Sequence, residues 1–384
     1  MDFKLRPEHL ELQRRVREWC EGEVMPRSRE FDAKEEFPWP LMDGLRRLGL
    51  LGIPFPKKYG GQEIDMVGLV VVLEELGRAD ASLALTVESH NGLCANHIFI
   101  AGNEAQRQKY LARLARGEVL GAWALTEPGA GSDAQAIKTT AVFDGKDWIL
   151  NGSKTFTTQG SVAGIYVILA RSVDQETGKP GMTAFVVEKG APGLEVGKKE
   201  KKMGLHASDT AQLHLTNLRV PQDQVLGKVG GAFRDVMKVL DAGRVAISGI
   251  SVGIARAALE EGIRWVKPRK RDFRIRPDTP GLSSAGKLLA DLATEVDAAR
   301  LLAHRAAVLV DRGEKFTKEA SMAKLMSGDL AMKAPTLILD LFGFQGASLD
   351  CPVQRYFRDA KLYQIGEGSS QIQELIISRH LLAE

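Results

Sequence analysis

The sequence predicts a mainly α-helical protein with a central antiparallel β domain. Three observations carry this reading: helical apolar spacing up to about residue 120, a change of period to two between Gly121 and about Gly227, and long Ala- and Leu-rich helical runs from Gly231 onward. The corresponding segments are 1–120, 121–228 and 229–384.

In the first segment Pro54, Pro56, Gly60 and Gly61 mark a loop, and Met66–Arg78 and Ser82–Ile100 are apolar on all sides, as core helices are. Asn103 with Gln106 three residues later forms a capping box that opens the helix Glu104–Arg116, and Gly117 follows as a stop. In the middle segment the strand-like runs are Trp148–Leu150, Ile165–Ala170, Met182–Val187 and Ala211–Val220. Asp144-Gly145, Asn151-Gly152, Gly178–Gly181 and Pro192-Gly193 separate them. In the last run Leu213, Leu215 and Leu218 are interleaved with Gln212, His214 and Asn217, which buries one face. The third segment holds helical runs over Gly231–Lys267, Leu282–Arg312, Thr317–Phe342 and Ser370–Ala383, with a break at Pro268–Gly281. Their length and small residues suit antiparallel bundle packing.

Composition narrows the function classes. With 52 Lys+Arg against 49 Asp+Glu, the net charge of +3 offers no global argument for nucleic acid. The longest apolar stretch, around Met66–Leu73, is stopped by Glu74 and Glu75, well short of the roughly 18–20 residues a bilayer crossing needs. The first residues lack a basic region followed by an apolar one. Cys20, Cys94 and Cys351 are too far apart for paired-cysteine chemistry, and the seven histidines show no metal spacing; His90 and His97 read as helix residues. A cytoplasmic protein with no membrane span, no nucleic-acid partner and no metal is expected.

Four segments could carry chemistry. In Leu125–Asp133, Gly129 and Gly131 allow backbone N–H groups close to an anion, and Thr126 and Ser132 add hydroxyls, but by the residues alone a plain turn into the sheet domain is the commoner reading. In Gly366–Gln373, Ser370 and Gln373 suggest a capping box, so Glu367 sits on a Gly-flanked loop before a helix. It is placed either to act as a base or to complement the helix dipole. Gly249-Ile250-Ser251-Val252-Gly253 has a nucleophile-elbow pattern, but it lies inside a helical run, where small residues serve close packing. Lys267–Arg276 carries six cations against Asp272, which suits a polyanion or a solvated face.

Together these segments resemble the acyl-CoA dehydrogenase family over essentially the whole chain. Ala124–Asp133 is similar to the family's first signature, Asn151-Gly152-Ser153-Lys154 with Phe156-Thr157-Thr158 to its second flavin segment, and Arg355–Lys361 with Tyr363–Gln373 to the closing signature that carries the base. The resemblance implies an N-terminal helical domain, a middle β-barrel-like domain and a C-terminal four-helix bundle, with FAD between domains in a homotetramer built as a dimer of dimers.

It further implies that Trp123, Leu125, Thr126, Gly131, Ser132, Phe156, Thr157, Thr158, Ser369 and Gln371 contact FAD. Phe156 stands where the family commonly has Trp. Lys270, Phe273, Asp340, Gly343 and Phe344 fall in segments that reach FAD largely across the dimer interface, where the family commonly shows Arg-x-x-Phe-Gly and Gln-x-x-Gly-Gly. Ser132, Asp241, Arg244 and Gly368 would hold the substrate. Glu367 would abstract the α-proton of an acyl-CoA thioester while the β-hydrogen leaves as hydride to flavin N5, giving the trans-2-enoyl-CoA. Some members place the base next to Arg244, but Gly243 stands there. An electron-transfer flavoprotein would reoxidise the cofactor.

This division of labour is chemically sound, because an α-proton needs a carboxylate raised by a dry pocket and no side chain can accept a hydride. Two other readings start from the same residues. One is a member with impaired flavin binding, acting as a thioester-binding or structural oligomer; the other is an oxidase or a dehydrogenase of carrier-protein thioesters. A short- to medium-chain substrate is expected, and Gly366 leaves room for branching.

Overall fold

The computed structural model describes residues 4–269 and 283–383. The first helices are α1 (Pro7–Trp19), α2 (Met25–Lys34), α3 (Met42–Arg47), α4 (Met66–Ala79), α5 (Ala81–Glu88), α6 (Asn96–Ala101), α7 (Glu104–Gln106) and α8 (Ala112–Ala115). Caps set several of their starts. Asp65 accepts from the Gly68 N–H at 2.9 Å to open α4, and Asp80 from the Leu83 N–H at 2.9 Å to open α5. The predicted Asn103–Gln106 capping box is present, and Gly117 at φ +67° ends that stretch. Ser82–Ile100 differs from an uninterrupted α-helix: between α5 and α6 the turn widens into π-helix over Ser89–Ala95.

The strands are β1 (Gly121–Ala124), β2 (Thr140–Phe143), β3 (Asp147–Thr158), β4 (Ile165–Val173), β5 (Pro180–Glu188), β6 (Leu194–Lys199), β7 (Thr210–Pro221) and β8 (Val225–Leu226), in the order β6-β7-β3-β2-β4-β5-β8. The sheet is mixed. Most neighbours are antiparallel, but β1 and β2 lie parallel to β4, so β1 needs no hairpin and enters directly from the helical segment. The alternation along β7 also changes phase. Leu213 and Leu215 point inward, Asn217 takes φ +51° opposite a register shift, and Leu218 and Val220 then occupy the same buried face around Trp148, Tyr166 and Phe185.

The last segment comprises α9 (Ala232–Val266), α10 (Ser284–Asp311), α11 (Thr317–Phe342), α12 (Pro352–Ile365) and α13 (Ser370–Leu382). The turn between α11 and α13 thus contains a helix, α12, that the apolar pattern did not announce. Helix α9 is long and apolar enough to cross a membrane, but 89% of its apolar window is buried inside the protein. Its glycines explain why. A Cβ on Gly249 would lie 2.7 Å from the Val70 carbonyl oxygen and one on Gly253 2.3 Å from that of Glu74, so the Gly-x-Ser-x-Gly pattern is a helix crossing against α4. At that crossing the buried Glu74 and Glu75 are paired by Arg256, with Arg300 on Glu74 and Arg17 on Glu75.

Candidate active site

Helices α12 and α13 are joined by the short turn Gly366–Ser369, and this turn carries Glu367. Glu367 adopts φ +54° and Gly368 φ +91°, two successive left-handed residues that reverse the chain. Neighbouring side chains hold this strained turn. The buried Lys324 of α11 donates to the Gly368 carbonyl at 2.7 Å, and the Gln373 side-chain amide donates to the same oxygen at 2.9 Å. The anticipated Ser370–Gln373 capping box is therefore absent. Ser369 is the N-cap and makes no side-chain cap bond, Ser370 donates to Asp329, and Gln373 is committed to the carbonyl of the turn.

Both carboxylate oxygens of Glu367 are buried without a hydrogen-bonding N–H or hydroxyl, and they lie against Gly243 of α9. Burial pushes the Glu367 carboxyl up, while Glu88, Lys324 and Arg244 pull it down; it stays above its ordinary value. Arg244 is buried, ion-paired through Nη1 to Asp241, and its Nε has no partner. Asp241 is in turn held by the Thr317 hydroxyl at 2.7 Å. Asp241 thus orients Arg244, a different task from touching substrate. Burial also lowers the Lys324 ammonium to about 8.

The second cluster lies where β1 and the end of β3 meet. The fully buried Lys154 donates to the Leu125 carbonyl at 3.1 Å and pairs with Glu127 at 2.7 Å, and the Thr155 N–H donates to the Thr126 carbonyl at 2.9 Å. The two expected flavin segments are thereby fixed side by side. Phe156 is 59% exposed at φ +49°, Thr158 is half-buried, and the Thr157 hydroxyl is buried with no partner. Trp123 donates to His97 Nδ1 at 3.0 Å, so His97 is a buried acceptor whose pKa is lowered to about 4. A Cβ on Gly129 or Gly131 would meet nothing within 4 Å, and Ser132 is exposed. An orphaned hydroxyl, an outward aromatic ring and an open glycine loop on one rim fit a flavin.

Two ties bring the clusters together. The buried Gln159, just past β3, donates to the Thr86 carbonyl at 2.6 Å, and the Tyr363 hydroxyl donates to the Ala81 carbonyl at 2.7 Å. Helix α5 is thus clamped between the sheet and the Glu367 turn. Ser369 is half-buried beside that turn and Gln371 is exposed. Asp340, Gly343 and Phe344 are not brought there: they lie at the far end of α11, 16 residues or about 24 Å of helix beyond Lys324. All three are exposed, and Phe344, 88% exposed, lines a cavity of about 630 Å³ with Trp265 and Arg269. Lys270 and Phe273 lie outside the described residues. Sequence reasoning missed Glu88, whose only signal was a lone carboxylate in an apolar helix, and it assigned no role to Lys324 or to the Lys154–Glu127 pair.

Comparison with known proteins places the chain in a family. Residues 6–118, 122–218 and 230–382 match the N-terminal, middle and C-terminal domains of acyl-CoA dehydrogenases. An acyl-CoA dehydrogenase of Bacillus subtilis is 41% identical over 98% of both chains. Butyryl-CoA dehydrogenase from Megasphaera elsdenii superposes with a TM-score of 0.93 at 37% identity, covering all of both chains. So does a chain from the structural study of the electron transferring flavoprotein of Acidaminococcus fermentans and flavin-based electron bifurcation, at 0.93 and 38%. The chain therefore belongs to the acyl-CoA dehydrogenase family, as an FAD-dependent oxidoreductase acting on the CH–CH group of acyl-CoA thioesters.

Proposed function

We propose that this enzyme dehydrogenates a short-chain acyl-CoA to its trans-2-enoyl-CoA with Glu367 as the base. The observation that carries this is the Glu367 carboxylate itself: buried, without a hydrogen-bonding N–H or hydroxyl, and held on a left-handed turn by Lys324. A carboxylate kept dry and above its ordinary pKa is matched to a weakly acidic α-proton. Arg244, aimed by Asp241, and Gly368 of the turn line the substrate side, with Ser132 at the outer rim. Trp123, Leu125, Thr126, Gly131, Phe156, Thr157 and Thr158 hold FAD on the opposite side, joined by Ser369 and Gln371. Bound FAD supplies the hydride acceptor. Short chains are favoured by the likeness to butyryl-CoA dehydrogenase.

The segments 1–120, 121–228 and 229–384 act as domains around this site. A homotetramer places Asp340, Gly343 and Phe344 against a neighbouring subunit's cofactor, and an electron-transfer flavoprotein in the cytoplasm takes the electrons. Anaerobic addition of a panel of acyl-CoAs tests the reading. Flavin absorbance should bleach fastest with butyryl-CoA or a close homologue, and no bleaching by any acyl-CoA would overturn it. A second reading, a thioester-binding oligomer with impaired flavin binding, draws on the acidic Asp340 and the bulky Phe344. A colourless purified protein would favour it.

A further inference from the structure

The base has a neighbour that the reaction described so far does not use. Glu88 is the last residue of α5, fully buried, and neither of its carboxyl oxygens meets an N–H or hydroxyl. Its carboxyl and the Glu367 carboxyl bear directly on each other. Two glycines make the space. A Cβ on Gly92 would come 2.5 Å from Glu88 Oε1 and a Cβ on Gly243 2.6 Å from Glu367 Oε2, while Leu93 lies 3.5 Å from that second position and joins the two cradles. Helix α5 is fixed at Ala81 by Tyr363 and at Thr86 by Gln159, which holds Glu88 in place at its end.

We propose that Glu88 and Glu367 form a proton-sharing carboxyl pair in which Glu88 is the positioning residue that aims the base. This rests on the reading of Glu367 as the base. Two buried carboxylates with no other hydrogen-bond donor cannot both be ionised, but one proton between them satisfies both. The charge falls on Glu367. Lys324 from α11 and Arg244 from α9 act on Glu367, whereas Glu367 is the charged group that bears on Glu88. The remaining titratable neighbour, the Tyr363 hydroxyl of α12, is committed to the Ala81 carbonyl. Burial, and then the Glu367 charge, push the Glu88 carboxyl well above its ordinary value. In the resting site Glu88 therefore donates its O–H to the Glu367 carboxylate. When the α-proton is removed, the C–H bond breaks, an O–H bond forms on Glu367, and the pair passes from one proton to two without releasing any.

The test uses the full-length holoenzyme with three variants. Glu88→Leu keeps the bulk and removes the donor. Its acid limb of kcat against pH should move to higher pH, because the Glu367 carboxylate has lost a stabilising hydrogen bond, and kcat near neutrality should fall on the order of 10- to 100-fold. Glu88→Gln restores a donor and should rescue most of the rate. Independently of turnover, the infrared difference spectrum of parent minus Glu88→Gln should show a protonated-carboxyl C=O band at neutral pH. That of parent minus Glu367→Gln should show a carboxylate band instead. A carboxylate band lost from Glu88→Gln, or a Glu88→Leu acid limb that is unmoved or shifted to lower pH, would overturn the proposal. The infrared result stands even if acyl-CoA turnover is absent, so failure of the pair and failure of the assigned reaction are distinguishable.

Discussion

Glu367 rests on Gly243. A Cβ at Gly243 would lie 2.6 Å from Glu367 Oε2, so the missing side chain on α9 is what gives the proposed base its place. A carboxylate side chain at 243 would claim the volume that Glu367 occupies. Gly243→Ala should separate catalysis from stability. Removing a glycine from a helix interior stabilises by about 0.5–1 kcal/mol, so thermal unfolding should hold or rise. The displaced carboxylate should cost kcat on the order of 10- to 100-fold. Parental kcat in this variant would show that the turn yields freely.

Glu367→Gln keeps the shape of the site but cannot accept a proton. Removal of a general base costs about 10²–10⁴-fold, and the loss should fall on kcat with acyl-CoA binding retained. Anaerobic flavin bleaching at equal flavin content measures it. A rate within a few-fold of the parent would leave Glu367 as a residue that only complements the dipole of α13.

Lys324 links the Glu367 turn to stability against pH. Burial lowers its ammonium from 10.5 to about 8, so between those values the unfolded chain holds the proton that the folded protein has released. Stability from this group therefore rises with pH across that window and is diminished below it. Lys154, also lowered to about 8 by burial, contributes in the same direction. Urea unfolding should show a smaller alkaline rise in Lys324→Met than in the parent. An identical rise would mean that folded Lys324 keeps its proton across this window, as the unfolded chain does.

The Lys154–Glu127 pair sits beneath the flavin segments, with Lys154 1% and Glu127 7% exposed. Breaking a buried pair by removing one partner costs about 3–5 kcal/mol. Lys154→Met also frees the Leu125 carbonyl, so the flavin-to-protein absorbance ratio should fall. Adding Glu127→Gln should recover part of the stability, since no charge is then stranded. Unchanged flavin content in Lys154→Met would show that the Thr155–Thr126 backbone bond alone holds the loop.

At the far end of α11, Asp340→Gln with Phe344→Gly should raise FAD occupancy after purification, by removing an acidic group and a bulky side chain from a segment proposed to meet a neighbouring subunit's cofactor. The absorbance ratio again decides. Full occupancy in the parent would show that Arg269, stacked 3.6 Å over Trp265 in the described residues, or a neighbouring cation has taken over this contact.

Much of this protein was legible in the sequence. The periods place α4, α9, α11, β4, β5 and β7 within a few residues, whereas Asn151-Gly152, which reads as a turn, lies inside β3; the Asn103–Gln106 cap is where it reads, and the resemblance singles out Glu367 and Arg244. These features are local: a helix cap, an alternating strand or a motif is encoded within a few adjacent residues. What only the tertiary structure decided is which distant groups share a volume. Glu88 and Glu367 are separated by most of the chain, and Lys324 reaches Gly368 from another helix. Gln373 forgoes its predicted cap because a long-range turn offers a carbonyl that needs a donor. The energy of a buried carboxylate or ammonium depends on what surrounds it in space. Its charge state and its task are therefore set by the packing of helices that no single stretch of sequence contains.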